Sequence, residues 1–329
     1  MIFRSQTPHP DSPQIRSFDV RTDMLAVSDL VEVCFAERLS PDGVALLKKM
    51  RTSARNKHFQ RWAYSVAGRV SMPFTGFVWE EKGEIRGNLS LIPYHLSRQN
   101  YYMIANVAVH PEYQRRGIGR ALLLRSLRFL KDKDLDGIWL QVDEHNYGAV
   151  QLYLQEGFRE RSRRTTWILN SEGKSSRPGE EQESDLRIGL RRGQHWSRQR
   201  SWLRKTYPEE VRWHLPLQLR YLRGGLWGAV THLFLKVPPH QHWAVLEGER
   251  LRGVVTWQKS KTTADWLWMA APPGGEGRLL DAFVPHWYSY RQARRRLRLN
   301  YPRGQAHQTL QDHGFKPTRT LIWMSYLLD

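Results

Sequence analysis

Residues 101–121, YYMIANVAVHPEYQRRGIGRA, combine residue types that could bind a phosphate group. An apolar run over 103–109 predicts a strand, Pro111 ends it, and the glycine-containing loop 114–119 leads into a predicted helix that begins at about Gly117. The N-terminus of a helix presents main-chain N–H groups and a partial positive charge, and glycine lets a phosphate approach the backbone. The pattern therefore predicts an anion site that suits a pyrophosphate. The arginines that add charge around it are Arg115, Arg116 and Arg120.

Two common phosphate-binding motifs do not fit this loop. A Walker loop would need Gly-Lys-Ser/Thr at its end, which this segment lacks. A dinucleotide fingerprint would need a third glycine after Gly117 and Gly119, and basic residues before the first glycine are foreign to it. The loop alone therefore indicates an anion without naming the ligand.

A second motif lies downstream and narrows the choice of ligand. Asn146 is followed by Ala149, by the pair Leu152-Tyr153 and by the pair Gly157-Phe158. Together with the loop Gln114-Arg115-Arg116-Gly117-Ile118-Gly119, this order and spacing resembles the coenzyme A motifs of the GNAT family of N-acetyltransferases. The resemblance covers about residues 16–170.

The resemblance implies direct transfer of an acetyl group from acetyl-CoA to an amine. In that family the pantetheine arm pairs with the strand that ends here at Val109, whose N–H groups polarise the thioester carbonyl. Tyr153 matches the family's tyrosine general acid, and Asn146 matches a polar residue that contacts the coenzyme arm. From the residues alone, Tyr153 could instead be a packed aromatic and Asn146 a helix N-cap. The coenzyme contacts implied are Val107, Ala108, Val109, Gln114, Arg115, Arg116, Gly117, Ile118, Gly119, Arg120 and Asn146.

The sequence leaves the general base and the acceptor open. An α-amino group, with a pKa of about 8, loses its proton more easily than lysine, near 10.4. The segment NVAVHPEYQRRGIGRALL is most similar to ribosomal-protein N-terminal acetyltransferases, which commonly carry glutamate where this chain has Gln141. We therefore expect a small-molecule or peptide amine as acceptor; transfer of a larger acyl group, or to an antibiotic or an amino-acid conjugate, is the alternative. The neighbours that could act as base through water are His110, Asp143, Glu144 and His145.

The elements that hold these motifs follow from the apolar periodicity. Their order predicts an α/β (α+β) fold, in which helices flank a mixed, mostly antiparallel central sheet. Strands are predicted near 15–21, 74–80, 84–93, 101–109, 137–142 and 163–169. Helices are predicted near 23–38, 41–52, 117–131 and 147–155.

The second half of the chain reads as a distant copy of the first. Residues 171–184, SEGKSSRPGEEQES, contain no aliphatic or aromatic residue and have the composition of a linker. Beyond them, Asn300, a short helical pattern and Gly314-Phe315 repeat the order of Asn146 to Gly157-Phe158. The predicted parts are an N-terminal tail at 1–15, a GNAT domain at 16–170, the linker at 171–184 and a degenerate GNAT-like domain at 185–329.

The second copy is predicted not to catalyse. Its counterpart of the loop, 271–278, lacks Gln-Arg-Arg and contains Glu276, which would repel a phosphate, and Leu310 replaces Tyr153. Because residues 171–329 hold 26 basic and 14 acidic groups, a non-catalytic scaffold that binds coenzyme A or nucleic acid is the alternative function. Contact with the ribosome belongs to that less favoured alternative. The arginines considered for it are Arg291, Arg294, Arg295, Arg296 and Arg298.

Composition limits which partners, metals and cellular locations the protein can have. The chain has 329 residues and a formal net charge of +19, which favours anionic partners. Its one cysteine, Cys34, excludes a disulfide framework and a cysteine zinc site, and His240-Gln241-His242 lacks a third ligand, so no metal is expected. There is no run of 18 apolar residues and no apolar N-terminal signal, so a cytoplasmic location without membrane contact is predicted.

Overall fold

The computed structural model describes residues 8–36, 39, 41–96, 99–171, 185–223, 240–290 and 295–328. The chain forms two compact units that are not contiguous in sequence: unit 1 is Met1–Arg161 with Trp323–Asp329, and unit 2 is Ser162–Ile322. This division differs from the predicted boundary between 16–170 and 185–329, because each half contributes part of its last strand to the other unit. Of the predicted linker, residues 172–184 lie outside the described residues.

Unit 1 is built on a sheet whose first four strands are antiparallel and whose fifth is parallel to the fourth. Its strands are β1 (Ile15–Ser17), β2 (Thr75–Glu81), β3 (Glu84–Leu96), β4 (Gln99–Val109) and β5 (Gly137–Asp143). Its helices are α1 (Met24–Phe35), α2 (Pro41–Ala54), α3 (Lys57–Val66), α4 (Ile118–Lys131) and α5 (Tyr147–Gln155). Strand β6 (Arg159–Leu169) leaves unit 1, and the end of β12 (Phe315–Tyr326) returns to it beside β5.

Helices cover both faces of this sheet. On one face, α1 and α2 pack their apolar side chains against Val78 and Ala108. On the other face lies α4, and Gly87 allows its close approach, since a Cβ there would come within 3.0 Å of Ile118 and 3.1 Å of Leu122. The predicted strand–loop–helix segment is therefore fixed by packing on both sides of β4.

The sequence reasoning did not predict α3. Asn56 caps it by accepting hydrogen bonds from the main-chain N–H groups of His58 and Phe59. Its buried stripe contains Ala63, which is fully buried, with Phe59 and Val66 packed against the same cluster. The asparagine cap and the 59/63/66 spacing were the signal that would have found this helix.

Unit 2 repeats the same strand pattern. Strands β7 to β10 are antiparallel in chain order and β11 is parallel to β10, as in unit 1, so the predicted internal repeat is confirmed. Strand β6 pairs antiparallel with β11. The strands are β7 (Leu186–Leu190), β8 (His240–Glu247), β9 (Arg250–Gln258), β10 (Ala264–Ala270) and β11 (Arg296–Pro302). The helices are α6 (Trp196–Thr206), α7 (Glu209–Arg212), α8 (Glu276–Ser289) and α9 (His307–Asp312).

The close approach of helix and sheet is also repeated. Gly253 on β9 corresponds to Gly87, and a Cβ there would lie 2.8 Å from Leu279 of α8. The core around α8 is rich in tryptophan, including Trp167, Trp243 and Trp287, each at most 3% exposed. Unit 2 thus keeps the packing of the repeat although its loop sequences differ.

Candidate functional site

A β-bulge in β4 lies just before the predicted anion loop. The register of β3 with β4 shifts between Asn88 and Ser90, so β4 contains one extra residue. Asn106 is at the bulge with a left-handed φ of 50°. Strand β4 pairs with β5 only as far as Ile104, so residues 105–109 diverge from β5.

Three polar side chains hold the bulge in place, and the sequence reasoning missed them. Asn88 is 1% exposed, and its Nδ2 donates to the carbonyl of Asn106 at 2.8 Å and to Ser90 Oγ at 3.2 Å. The Nδ2 of Asn106 donates to the same Ser90 oxygen at 3.3 Å. Buried polar residues in an otherwise apolar strand were the signal, because each needs a hydrogen-bonding partner that regular pairing does not supply.

The bulge directs two main-chain N–H groups away from β3. The N–H of His110 donates to the carbonyl of Arg86 on β3 at 2.9 Å. Because N–H directions alternate along a strand, the Ala108 amide also faces β3, while those of Val107 and Val109 face the diverging edge. Of the three predicted strand contacts, Val107 and Val109 therefore present donors, whereas Ala108 is buried under α1 and α2.

The loop after β4 forms a turn with two left-handed residues. Arg115 has a φ of 59°, and Gly117, the N-cap of α4, has a φ of 81° and no side chain that caps the helix. Gln114 Nε2 ties the turn to the strand by donating to the Val109 carbonyl at 3.0 Å. The first N–H groups of α4 are thus left without a capping side chain, as an anion site requires.

The glycine in the first turn of α4 leaves room beside the strand. A Cβ on Gly119 would point between Val109 Cγ2 at 3.8 Å and Leu152 Cδ2 at 4.0 Å. Ile118, by contrast, is 2% exposed and anchors the helix start in the core. The predicted loop residues therefore divide into an anchor and positions that border the space between β4 and α5.

The arginines of the loop differ in their partners. Arg120 Nε donates to Glu156 at 2.6 Å, so its charge is already compensated. Arg116 donates to the carbonyl of Glu112 at 2.8 Å and lies 4.6 Å over the ring of Tyr113. No carboxylate among the described residues forms an ion pair with Arg115 or Arg116, so both retain charge for an anion.

Tyr153 and Asn146 lie at the two ends of α5. Tyr153 is 5% exposed, and burial raises the pKa of its hydroxyl above the usual value, which keeps it protonated at neutral pH. Asn146 accepts a hydrogen bond from the N–H of Ala149 at 3.3 Å, which is an N-cap contact. Phe158 packs on Tyr153 with ring centroids 5.8 Å apart, which fixes the tyrosine.

Two of the candidate bases come together at the end of β5. Asp143 accepts a hydrogen bond from the N–H of His145 at 3.0 Å, and His145 Nδ1 lies 3.3 Å from the same carboxylate oxygen. His110, at the end of β4, has Nδ1 4.0 Å from Glu112. Gln141 lies on β5 beyond the last residue that pairs with β4.

The corresponding turn of unit 2 contains its own carboxylate. Gly275 is the N-cap of α8 and donates to the carbonyl of Pro272 at 2.9 Å. Glu276 follows, is 9% exposed and accepts a hydrogen bond from the Tyr301 hydroxyl at 2.9 Å. Neither helix start is capped by a side chain, but the first helical residue is the buried Glu276 in unit 2 where it is Ile118 in unit 1.

A buried arginine of β6 links that strand to β11 and to the end of α6. Arg164 is 1% exposed, donates to Thr206 and to both the side chain and the carbonyl of Asn300, and lies 5.0 Å over the ring of Tyr207. Tyr207 packs on Trp268 with ring centroids 5.3 Å apart. Burial lowers the pKa of Arg164 to about 10, so it remains a cation at neutral pH.

Several other predicted residues of the second half have structural partners. Leu310 is fully buried in the core. Arg295 forms an ion pair with Asp265 at 3.2 Å, and Arg298 lies 5.3 Å over the ring of Trp266. Arg291 and Arg294 lie outside the described residues. Among the residues that the structure describes, no group of three potential metal ligands comes together.

Comparison with known proteins shows what part of the first unit is similar to. Residues 48–158 match the family model of the acetyltransferase (GNAT) family. The ribosomal protein bS18-alanine N-acetyltransferase of Escherichia coli K12 is 38% identical over 69 residues, which are 21% of this chain and 47% of that protein. The mycothiol acetyltransferase of Thermobifida fusca is 50% identical over 52 residues, or 16% of each chain. The chain thus spans about half of the first relative and less of the second.

The whole chain also has the fold of a solved acetyltransferase. The GCN5-related N-acetyltransferase of Sphaerobacter thermophilus matches with a TM-score of 0.58 and 13% identity, over 96% of both chains. Residues 48–158 are therefore similar to the GNAT acetyltransferase family, and the likeness in fold extends over 96% of the chain. No helix of the described part of the chain is long and apolar enough to cross a membrane.

Proposed function

We propose that unit 1 transfers an acetyl group from acetyl-CoA to an amine and that unit 2 binds no coenzyme. One observation carries the proposal: the bulge at Asn106 and the uncapped start of α4 lie on one continuous segment. The first directs the Val107 and Val109 amides to the open edge of β4, and the second offers N–H groups and two unpaired arginines.

These groups fit the two polar parts of coenzyme A. The diphosphate would be held by the turn at 114–119, where Gly117 and Gly119 place no side chain between it and the helix N–H groups. The amide-containing arm would hydrogen-bond to the open edge of β4 as an added strand. The coenzyme supplies an activated thioester, and the Val107 and Val109 amides stabilise the negative charge that develops on its carbonyl oxygen.

The reaction then requires a neutral amine and a proton for the departing sulfur. The amine nitrogen forms a bond to the carbonyl carbon, the carbon–sulfur bond breaks, and the nitrogen loses one proton. Tyr153 donates a proton to the sulfur, and its raised pKa means that it is protonated whenever the amine is reactive. Asp143 and His145 at the end of β5 would take the proton of the amine through water.

The acceptor is proposed as an amine whose pKa is near neutrality. Gln141 on β5 cannot remove a proton from a lysine ammonium, whereas an α-amino group with a pKa of about 8 is partly neutral without help. The E. coli relative is named for an alanine of a ribosomal protein, which is consistent with an α-amino acceptor.

Thiol release tests this proposal. Acetyl-CoA is mixed with a peptide that has a free N-terminal alanine, or with an N-blocked peptide that contains one lysine, and free thiol is measured. We expect release with the first peptide, and Tyr153→Phe should lower kcat by about 100-fold with little change in acetyl-CoA affinity. Tyr147→Phe, on the same helix but 71% exposed, is the matched control and should leave kcat unchanged.

Two outcomes would contradict the proposal. Full activity of Tyr153→Phe would remove this residue from proton donation. Stabilisation by acetyl-CoA in a melting experiment without thiol release for any amine would instead support a coenzyme-binding scaffold.

A further inference from the structure

The helices α2 and α3 carry a strongly basic surface. Residues 43–79 contain seven lysines and arginines and no aspartate or glutamate. One of the seven, Arg51, is neutralised by Asp29 and Glu32 at 2.6 and 2.5 Å. The other six are exposed and form no ion pair with any residue that the structure describes: Lys48, Lys49, Arg55, Lys57, Arg61 and Arg69.

Two aromatic side chains are exposed among these cations. Trp62 is 48% exposed, and its ring is held from behind by Phe59 at 5.5 Å and by Phe74 at 5.9 Å between centroids. Tyr64 is 54% exposed, and the guanidinium of Arg21 stacks over its ring at 4.0 Å. These flat groups are positioned before any partner arrives, which lowers the entropic cost of stacking on them.

Arg21 is itself fixed in this arrangement. Asp19 accepts from Arg21 Nη2 at 2.6 Å and from its Nε at 3.0 Å, so the guanidinium plane is held over Tyr64. Nucleic-acid bases stack on aromatic rings and on guanidinium planes alike, whereas phosphates seek unpaired cations. On α3 the cations Lys57 and Arg61 precede Trp62 and Tyr64, and because the two rings are two residues apart they flank the exposed face of the helix from opposite sides.

We propose that the α2–α3 surface binds single-stranded nucleic acid. Six uncompensated cations match a chain of phosphates, and the exposed rings of Trp62 and Tyr64 match unstacked bases. An acidic protein segment would use the cations alone, and an anionic lipid surface would bury the rings rather than stack on them, so vesicle binding is an outcome that the test separates. This surface is separate from the arginines of the second half for which the sequence raised nucleic-acid contact.

Helix α6 of unit 2 shows that charge alone would not single out the α2–α3 surface as the binding site. It also presents cations that form no ion pair among the described residues, and its tryptophans, Trp196 and Trp202, are only partly exposed. A purely electrostatic attraction would therefore favour α6 as much as α2–α3. The exposed cations of α6 are Arg198, Arg200, Arg204 and Lys205.

The test uses the full chain and a fluorescein-labelled single-stranded RNA of about twenty nucleotides, followed by anisotropy over a range of salt. If all six cations contact phosphates, the slope of log affinity against log salt is about −4, which weakens binding roughly 300-fold between about 50 and 200 mM salt. The triple variant Lys48→Glu, Arg55→Glu, Arg61→Glu should bring the slope to about −2. The double variant Trp62→Ala, Tyr64→Ala should weaken binding by roughly 30-fold or more with the slope unchanged.

The charge-matched control is the triple variant Arg198→Glu, Arg204→Glu, Lys205→Glu on α6. It should retain most of the RNA affinity, and all variants should keep the melting temperature of the parent chain and its shift with acetyl-CoA. Equal losses for the two triple variants would overturn the proposal. So would full affinity of the aromatic double variant, or binding to vesicles that contain anionic lipid with none to RNA.

Discussion

The turn after β4 and the turn after β10 occupy the same place in the two units, yet their contents are opposite. In unit 1 the turn contains Arg115 and Arg116, which form no ion pair with any residue that the structure describes. In unit 2 the carboxylate of Glu276 lies at the helix start and is held by Tyr301. The two units thus share a strand pattern while the side chains at the corresponding turn differ.

The strands that pair with β4 and β10, which are β3 and β9, also differ in their polar residues. Asn88 and Ser90 of β3 support the bulge in β4, whereas the corresponding residues of β9 are Val254 and Thr256. The β9–β10 register runs without a shift to Ala270. A single polar-to-apolar difference in the neighbouring strand thus accompanies loss of the bulge that turns amides outward.

The largest expected effect comes from adding a carboxylate to the unit 1 turn. Gly117→Glu places a negative charge at the proposed diphosphate site and a side chain at a φ of 81°, so acetyl-CoA affinity should fall by about 100-fold or more. Gly274→Glu is the matched control, since Gly274 has a φ of 74° and open space around its Cβ position. Calorimetric titration of both variants measures the difference, and equal losses would contradict the assignment of unit 1.

A second substitution gives β3 the valine that β9 has at the corresponding position, Val254. Asn88→Val removes the donor to the Asn106 carbonyl, so the bulge should relax and acetyl-CoA affinity should fall roughly tenfold. The binding constant from the same titration checks this, and the melting temperature shows whether the chain still folds. Unchanged affinity in a folded variant would mean that the bulge does not position the amides.

The network in unit 2 should matter for stability and not for binding. Tyr301→Phe leaves the buried Glu276 without its hydroxyl donor and should lower the free energy of unfolding by about 1–3 kcal/mol. Denaturant titration measures this loss, while acetyl-CoA affinity should stay the same. A change in affinity at constant stability would place Tyr301 in a ligand site and would break the comparison.

The smallest expected effect concerns the glycine at the second residue of α4 and of α8, where stability should respond alike and coenzyme binding should not. Gly119→Ala and Gly277→Ala should each raise the free energy of unfolding by about 0.5 kcal/mol, because both Cβ positions meet neighbours only at 3.7 Å or more. Only Gly119→Ala should weaken acetyl-CoA, by a few-fold, since its Cβ points between β4 and α5. Equal coenzyme affinity for the two variants would show that this space is not used.

The sequence predicted the strand–turn–helix segment well because its signals are local. Pro111, Gly117 and the apolar run before them act within a few residues, and Gly117 is indeed the N-cap of α4. The repeat was also predictable, since the Gly-Phe pairs and flanking strands recur. The α/β fold with antiparallel strands and one parallel strand follows from that order.

Other features could not be predicted, because they depend on contacts between distant residues. The bulge results from Asn88 reaching the Asn106 carbonyl across two strands. The burial of Arg164 depends on Thr206 and Asn300, which accept its hydrogen bonds from distant parts of the chain. The division of the last strands between the two units also leaves no local signal in the sequence.

The most direct test is the stoichiometry of acetyl-CoA binding to the full chain by isothermal titration calorimetry. The account predicts one molecule per chain for the parent protein and for Gly274→Glu, and no binding heat for Gly117→Glu at the same concentrations. Two molecules per chain, or one that survives in Gly117→Glu, would show that unit 2 holds the coenzyme and would contradict the central claim.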